Sequence, residues 1–433
     1  MSEVAILVGV ELRRSKQTLA AIDDLSPAES LAELRALAES AGAVVAASIL
    51  QSRDKADQAT LVGSGKLGEI ESLVAGLSAD TVLFDAELTP TQQRNLERAL
   101  GVKVLDRTQL ILDIFASRAR TREGQLQVEL AQLNYLMPRL AGRGIAMSRL
   151  GGGIGTRGPG ETQLEADRRK IARRIQSIKS DLDKVRAARG IQRKQRQAVP
   201  LATVALVGYT NAGKSTLFNR LTQAGVLADA KMFATLDPTV RHIILPSRRK
   251  VLLGDTVGFI RKLPTTLVEA FRATLEEVTD AALLLHVVDV SNPHAPSYVE
   301  HVQQVLEEIN AGSTHQILVM NKADLVEDPQ DQITQARRIL KDSQAELSVI
   351  PVSAQTGTGI DRLLDAIDAA LTLDPICRSH FLIPAADGRA LHLLHERAVI
   401  LSSRYVGDQC EIVADLPASL RRELKSFELP TSN

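Results

Sequence analysis

Eight consecutive residues, 208–215, match the phosphate-binding pattern G-x-x-x-x-G-K-[ST] at every fixed position. An apolar run at 203–207 precedes them, and 216–221 continue with a helical pattern. Strand, loop and helix in this order are the context that the pattern requires. The glycines let backbone N–H groups point into one concavity, where the helix N-terminus adds positive charge. The segment predicts a nucleotide site formed by Gly208, Tyr209, Thr210, Asn211, Ala212, Gly213, Lys214 and Ser215.

The chemistry of phosphoryl transfer assigns roles within and after this loop. Lys214 can reach the β- and γ-phosphates, and the Ser215 hydroxyl can bind Mg²⁺. A second apolar strand, 251–254, leads into the pattern D-x-x-G. There Asp255 would approach Mg²⁺ through a water molecule, and the Gly258 N–H would meet the γ-phosphate. The nucleotide-contacting residues predicted here are Asp255, Thr256, Val257 and Gly258.

A third strand, 317–320, precedes the pattern N-K-x-D and predicts the base that is bound. The Asp324 carboxylate can accept hydrogen bonds from guanine N1–H and the 2-amino group, which adenine cannot donate. An adenine would leave this carboxylate unpaired, and sites built on hydrogen bonds reject such analogues strongly. Backbone N–H groups after a further strand, 349–352, can meet guanine O6. The predicted base-binding residues are Asn321, Lys322, Ala323, Asp324, Ser353 and Ala354.

Between the first two patterns, a loop must supply a threonine that binds Mg²⁺ and senses the γ-phosphate. Thr235 is our choice over Thr239, and we expect the loop to relax when the γ-phosphate leaves. Lys214, Thr235 and Gly258 are therefore the predicted catalytic residues. The loop is expected to contact the nucleotide through Phe233, Ala234, Thr235, Leu236 and Asp237.

The chain has 433 residues, enough for several domains. Strand and helix patterns alternate at 4–107, helical spacing follows, and a β-α-β-β pattern ends the chain. The fold class is α/β. We predict a small N-terminal α/β domain with a largely parallel sheet, an antiparallel helical hairpin, a Ras-like P-loop G domain with a mostly parallel sheet, and a small α+β C-terminal domain. Their predicted bounds are 1–107, 108–197, 198–373 and 374–433.

The segment Gly63-Ser64-Gly65-Lys66 resembles a phosphate loop but lacks its first glycine and its final Ser or Thr. We expect a turn in which Ser64 caps the next helix, and the alternative is an anion site at that helix start.

Positive charge is concentrated in one part of a chain whose net charge is zero. Residues 117–197 hold 19 Lys or Arg against seven Asp or Glu. The connection 142–161 contains eight glycines and three arginines. These features favour a polyanionic partner such as RNA, although a solvated linker and a solvated helix face are the alternatives. The predicted RNA-binding residues are Arg143, Arg149, Arg157, Arg168, Arg169 and Arg173.

Composition narrows the class of protein. No apolar run approaches the roughly 20 residues that span a bilayer. Two cysteines, Cys377 and Cys410, are too few for a disulfide framework or a zinc site. We expect a cytoplasmic protein with no membrane span that is monomeric when free.

The motif spellings resemble those of one known family. GYTNAGKS at 208–215, FATLDPT at 233–239, DTVGF at 255–259 and RLGGGIGTRGPGE at 149–161 are similar to the HflX group of P-loop GTPases. The resemblance covers nearly the whole chain and is weakest over the last 60 residues. It implies a ribosome-associated GTPase that binds the large subunit and its rRNA and helps separate stalled or idle ribosomes. The motif order alone indicates a GTP switch, and only the resemblance names the ribosome.

One position departs from Ras-like proteins. The residue after Gly258 is Phe259, where a glutamine would orient the attacking water. We expect slow intrinsic turnover of GTP that a partner stimulates. Asn211 matches an asparagine that in some GTPases accompanies K⁺ as a fixed positive charge, and loop packing is the alternative role.

The sequence is also compatible with a second function class. The chain could be a nucleotide-gated RNA-binding or RNA-remodelling factor whose GTP hydrolysis only resets it, and a protein scaffold is the weakest hypothesis. His286 lies inside a strand pattern and is expected to be a core residue.

Overall fold

The computed structural model describes residues 3–12, 26–140, 159–197, 202–222, 232–233, 235–236, 239–247, 249–261, 277–328, 331, 333–334, 348–373, 376–385 and 387–429. The chain divides into two compact units. The first comprises residues 1–185, 227–237 and 257–274, and the second comprises 186–226, 238–256 and 275–433. No helix in the described ranges has the length and apolar character needed to cross a membrane. The four-domain division stays a prediction.

The first unit contains a sheet of four parallel strands in the order β2-β1-β3-β4. Its apolar strand residues pack against intervening helices, because a parallel sheet has to be covered on its faces. Ile6, Val82 and Val104 are fully buried. This confirms the predicted parallel α/β fold. The elements are β1 (Val4–Leu12), α1 (Pro27–Ser40), β2 (Val44–Arg53), α2 (Ser64–Leu77), β3 (Thr81–Phe84), α3 (Pro90–Leu100) and β4 (Lys103–Asp106).

The helix starts of this unit show which local signals the sequence carries. Ser26 and Thr89 cap α1 and α3 with reciprocal capping boxes, each followed by proline. The prediction for Ser64 was wrong, because Ser64 is already the first residue of α2. Gly63 occupies the capping position without a side chain, and its N–H donates to Gln51 Oε1 at 3.1 Å.

Three further helices complete the first unit: α4 (Arg107–Arg118), α5 (Arg122–Leu140) and α6 (Pro159–Gln197), whose last residues, from 186, belong to the second unit. Leu126 of α5 packs against Ile178 and Leu182 of α6. Further along α5, Glu129 accepts both Nε–H and Nη2–H of Arg174, at 2.6 and 2.7 Å. Increasing numbers on one helix meet decreasing numbers on the other, which confirms the antiparallel hairpin.

The second unit has a six-stranded sheet in the order β10-β9-β8-β5-β7-β6. Only β6 runs antiparallel, so the carboxyl ends of the other five strands share one edge. In open α/β sheets, ligands bind outside that edge. The elements are β5 (Thr203–Gly208), α7 (Lys214–Thr222), β6 (Thr239–Ile244), β7 (Lys250–Asp255), β8 (Leu283–Asp289), α8 (Ala295–Glu308), β9 (Gln316–Asn321), β10 (Ser348–Pro351) and α9 (Ile360–Leu373).

The chain ends in a three-stranded antiparallel sheet of order β11-β13-β12, as the β-α-β-β pattern predicts. Phe381 and Ile412 bury their side chains against Leu394 on one face. The elements are β11 (Ile376–Pro384), α10 (Gly388–Arg397), β12 (Val399–Val406), β13 (Gln409–Pro417) and α11 (Ala418–Glu423).

His286 of β8 is a buried core residue, as expected, with 1% of its surface exposed. Burial lowers the pKa of its imidazole to about 4, and the positive charge of Lys214 acts in the same direction. A hydrogen bond with Gln316 partly opposes this shift. The folded protein therefore holds His286 neutral at a pH at which an unfolded histidine is protonated.

We expect His286 to make folding sensitive to mild acid. Its folded pKa lies below its unfolded value of about 6.5, so its contribution is complete above pH 6.5 and is lost as pH falls toward 4. At pH 5 the loss is about 2 kcal/mol. The free energy of unfolding in urea, compared at pH 7.5 and pH 5 for the native protein and for His286→Gln, measures this loss. His242→Gln, at an exposed position of β6, is the control. Equal pH dependence in native protein and His286→Gln would contradict this assignment.

Candidate functional site

The loop between β5 and α7 has a backbone that only glycine can adopt at two positions. Gly208 has φ +146°, and a Cβ there would lie 2.2 Å from the carbonyl oxygen of Val287. Gly213 has φ +93°, and its Cβ would lie 2.2 Å from Asn321 Nδ2. The loop therefore packs directly on the neighbouring strand ends, where backbone N–H groups can be presented to a phosphate.

Lys214 begins α7 and is almost fully buried. Its Nζ donates to the carbonyl oxygens of Gly208, at 3.1 Å, and Tyr209, at 2.8 Å. Burial lowers the pKa of the ammonium to about 8, and the negative charge of Asp255 opposes the shift. A poorly hydrated cation of this kind interacts more strongly with an approaching phosphate than an exposed lysine does.

Ser215 and Asp255 lie side by side at the ends of two elements. The Ser215 hydroxyl donates to Asp255 Oδ2 at 2.8 Å, and Asp255 is fully buried at the end of β7. The next residue, Thr256, anchors the strand end by donating to the Leu206 carbonyl at 2.5 Å. A hydroxyl and a carboxylate are the oxygen donors that Mg²⁺ prefers, so this pair is chemically suited to that ion.

Asn321, at the end of β9, joins the phosphate loop to the predicted base-binding loop. Its buried amide donates to the Ala212 carbonyl at 2.8 Å, and its oxygen accepts the Ala354 N–H at 3.0 Å. Both hydrogen-bonding ends of one side chain are thereby used between two loops that are remote in sequence. Asn321 therefore fixes the position of the phosphate loop relative to the loop that contains Ala354.

Lys322 and Asp324, the two residues predicted to contact the base, lie in a turn that follows β9. Lys322 adopts a left-handed backbone, with φ +62°, and its ammonium pairs with Asp289 Oδ2 at 2.6 Å. Asp324 lies exposed in a short 3-10 turn, Ala323–Leu325. The Ala323 N–H donates to the Val352 carbonyl at 3.1 Å, which holds this turn beside the loop that contains Ser353.

Three contributors to the site were not predicted. Asp289 ends β8 at the same sheet edge, and this strand-end position is a signal that could have identified it. Arg220 of α7 donates to the Ala354 carbonyl at 3.0 Å. Tyr298 of α8 stacks on Tyr209, with ring centroids 4.0 Å apart. The last two contacts have no signal in a single sequence, because they join elements far apart along the chain.

The remaining predicted nucleotide residues belong to the first unit. Phe233 is buried, and its ring meets Phe115 edge-on at 4.6 Å. Ser40 donates to the Met232 carbonyl at 3.1 Å in the same segment, which also contains Thr235 and Leu236. Ala234 and Asp237 lie outside the described residues.

The segment after Asp255 continues into the first unit with Val257 and Gly258. Phe259, the residue that replaces a glutamine, is buried. Two residues later, the Arg261 carbonyl accepts a hydrogen bond from Arg107 Nη2 at 3.3 Å.

The predicted RNA-binding residues divide into two groups. Arg168, Arg169 and Arg173 are exposed along α6. Arg143, Arg149 and Arg157 lie outside the described residues.

Three family descriptions match consecutive parts of the chain. "GTP-binding GTPase N-terminal" matches residues 28–116, and "GTP-binding GTPase Middle Region" matches 118–196. "50S ribosome-binding GTPase" matches 203–322, which contains the phosphate loop and the N-K-x-D asparagine and lysine.

Similar curated proteins and solved structures agree with these matches. A GTPase HflX of Caldanaerobacter subterraneus is 46% identical over 420 residues, with 96% of this chain and 95% of the relative covered. A GTPase HflX of Escherichia coli is 47% identical, with 83% of each covered. The crystal structure of a complex of SsGBP and GDP has a TM-score of 0.50 at 25% identity, over 86% of this chain and 99% of that one.

We expect Gly213→Ala to weaken guanine-nucleotide binding. The added Cβ would strain a left-handed backbone and displace the Asn321 amide. A cost of about 1–3 kcal/mol corresponds to a roughly 5- to 150-fold rise in the Kd for GDP. Gly254→Ala is the matched control, because its nearest neighbour would lie 3.9 Å away. Titration calorimetry gives both constants, and equal affinities would contradict the close approach of loop and asparagine.

Proposed function

Because this chain belongs to the HflX family of GTPases and hydrolyses GTP, we propose that it acts on the ribosomal large subunit and splits stalled or idle ribosomes. The observation that carries this proposal is the match of residues 203–322 to a 50S ribosome-binding GTPase. That match contains the phosphate loop and Asp255, so we propose that ribosome binding is coupled to the nucleotide state.

The residues of the site can each be given a separate role in GTP hydrolysis. Phosphoryl transfer requires positioning and neutralisation of charge on the γ-phosphate oxygens. The Lys214 ammonium and the N–H groups of the phosphate loop would neutralise part of the negative charge on these oxygens. We propose that Ser215 and Thr235 hold Mg²⁺, with Asp255 acting through water. The bound ion would neutralise further charge on the phosphates.

The residue after Gly258, which orients the attacking water in Ras-like proteins, cannot do so in this chain. Phe259 is buried and apolar, so it cannot accept or donate a hydrogen bond to water. We propose that Thr235 and the Gly258 N–H sense the γ-phosphate and that a bound ribosomal subunit orders this machinery. GTP hydrolysis would then be fast only when the protein is bound to the ribosomal subunit.

The exposed arginines of α6 support an RNA partner. Arg168, Arg169 and Arg173 present their charge to solvent on a helix of 39 residues. Lys and Arg contacts to phosphates supply most of the affinity of sequence-independent RNA binding and make that affinity dependent on salt. We propose that ribosomal RNA is the polyanion that these arginines bind.

We expect added large ribosomal subunits to raise the rate of GTP hydrolysis at least tenfold over the intrinsic rate. Phosphate release measured with and without purified subunits tests this, and small subunits serve as the matched control. Sucrose-gradient sedimentation of intact ribosomes with the protein and GTP tests splitting. Failure of large subunits to bind or to stimulate turnover would reject the ribosomal proposal.

Asn211 allows a separate test of monovalent cations. It is exposed and adopts a left-handed backbone, with φ +62°, within the phosphate loop. If K⁺ supplies a fixed charge there, hydrolysis will be several-fold faster in KCl than in NaCl, and Asn211→Ala will remove the difference. A packing role predicts equal rates in both salts and a loss of nucleotide affinity in the variant.

The second candidate is an RNA-binding or RNA-remodelling factor that does not act on intact ribosomes. The concentrated charge of residues 117–197 is what favours it. Under this hypothesis, an unstructured RNA stimulates GTP turnover to the same extent as large subunits.

A further inference from the structure

A cavity of about 230 Å³ opens in the first unit between α3, β4 and the C-terminal end of α5. Leu105 contributes to its apolar lining from the strand, and Leu136 and Leu140 contribute from α5. Drug-sized ligands occupy cavities of roughly 300–1,000 Å³, so this cavity is large enough only for a ligand smaller than a typical drug molecule.

The polar lining of the cavity is predominantly positive. Arg94, Lys103 and Arg139 contribute three cations, against the single carboxylate of Glu97. Lys103 has half of its side chain exposed and approaches Glu3 at 3.9 Å. Arg139 is paired with the buried Asp106 carboxylate at 3.2 Å, so Arg94 and Lys103 are the cations that an entering anionic group would meet.

Arg139 is held in a fixed orientation by its neighbours. Its guanidinium donates to the Leu88 carbonyl at 2.7 Å and to Asp106 Oδ2 at 3.2 Å. One face of the guanidinium lies over the ring of Tyr135, 3.4 Å from its centroid. A guanidinium plane is a surface on which RNA bases stack, and a fixed one loses little entropy when they do.

In sequence, the glycine- and arginine-rich connection that composition assigns to RNA begins two residues after α5 ends at Leu140.

We propose that this cavity takes one nucleotide unit of single-stranded RNA. The base packs against Leu105, Leu136 and the Arg139 guanidinium, and Arg94 and Lys103 bind the adjoining phosphate. The proposal rests on the RNA partner of the proposed function, and it names a contact site in the α/β part of the first unit rather than on α6.

The charge part is tested with a fluorescent, unstructured 12-nucleotide RNA and the full-length protein in an anisotropy titration. The variant with Arg94→Gln and Lys103→Gln should bind about tenfold more weakly, and the slope of log Kd against log salt should fall by about 1.4. Glu97→Gln should bind about threefold more tightly. Arg98→Gln is the matched control, because Arg98 is exposed on α3 outside the cavity lining. Native affinity in the double variant, or an equal loss in Arg98→Gln, overturns the proposal.

The apolar part is tested with a second matched pair. Leu136 is 41% exposed at the cavity, and Leu77 is 40% exposed at the end of α2, away from it. Leu136→Glu should weaken RNA binding about tenfold, whereas Leu77→Glu should leave it within twofold. Equal effects would mean that the cavity is not the contact. Unchanged far-UV circular dichroism and thermal unfolding in every variant show that the protein, including its first unit, is folded.

Competition identifies the source of the nucleotide. Millimolar AMP should displace the RNA from native protein, and inorganic phosphate at the same concentration should displace much less. Equal competition by phosphate would show an anion site only, and AMP binding more tightly than the RNA would show a free-nucleotide site. Either result overturns the proposal. Stimulation of GTP hydrolysis by large subunits is measured separately, so the proposed function can stand if this cavity fails.

Discussion

The paired hydrogen bonds of Asn321 are the interaction on which the nucleotide site depends. This side chain satisfies the Ala212 carbonyl and the Ala354 N–H, so it fixes the phosphate loop and the loop after β10 relative to the end of β9. Removing one partner from a buried hydrogen-bonded pair costs more than the bond itself contributes, because the other group stays desolvated. The relative position of the phosphate loop and the loop after β10 therefore depends on this one buried side chain.

The parallel sheet explains why one asparagine can reach both loops. Strands β5, β8, β9 and β10 end at the same edge, so residues more than a hundred positions apart become neighbours. Lys214 is buried at that edge, and its lowered pKa is a consequence of that burial. A site organised in this way concentrates electrostatic effects on the phosphates, because little water competes with the fixed groups.

In the first unit, a buried arginine has an equivalent organising role. Arg107 pairs with Glu33 and with Asp85, at 2.9 Å for the latter, and also donates to the Arg261 carbonyl. All three charged side chains are buried, so each needs the others to compensate for lost hydration. The segment that follows Phe259 is thereby held against α4 by the hydrogen bond from Arg107 to the Arg261 carbonyl.

The sequence by itself determined the parallel folds, the antiparallel hairpin and the phosphate and base motifs, because periodic burial and glycine-dependent turns are local properties. It misplaced the cap of α2, since Ser64 and Gly63 compete for one position and only the backbone path decides between them. Tertiary structure alone decided that Asp289 pairs with Lys322, that Tyr298 stacks on Tyr209 and that Arg139 lines a cavity. These contacts join elements distant in the chain, and their energies exist only after the sheets have brought those elements together.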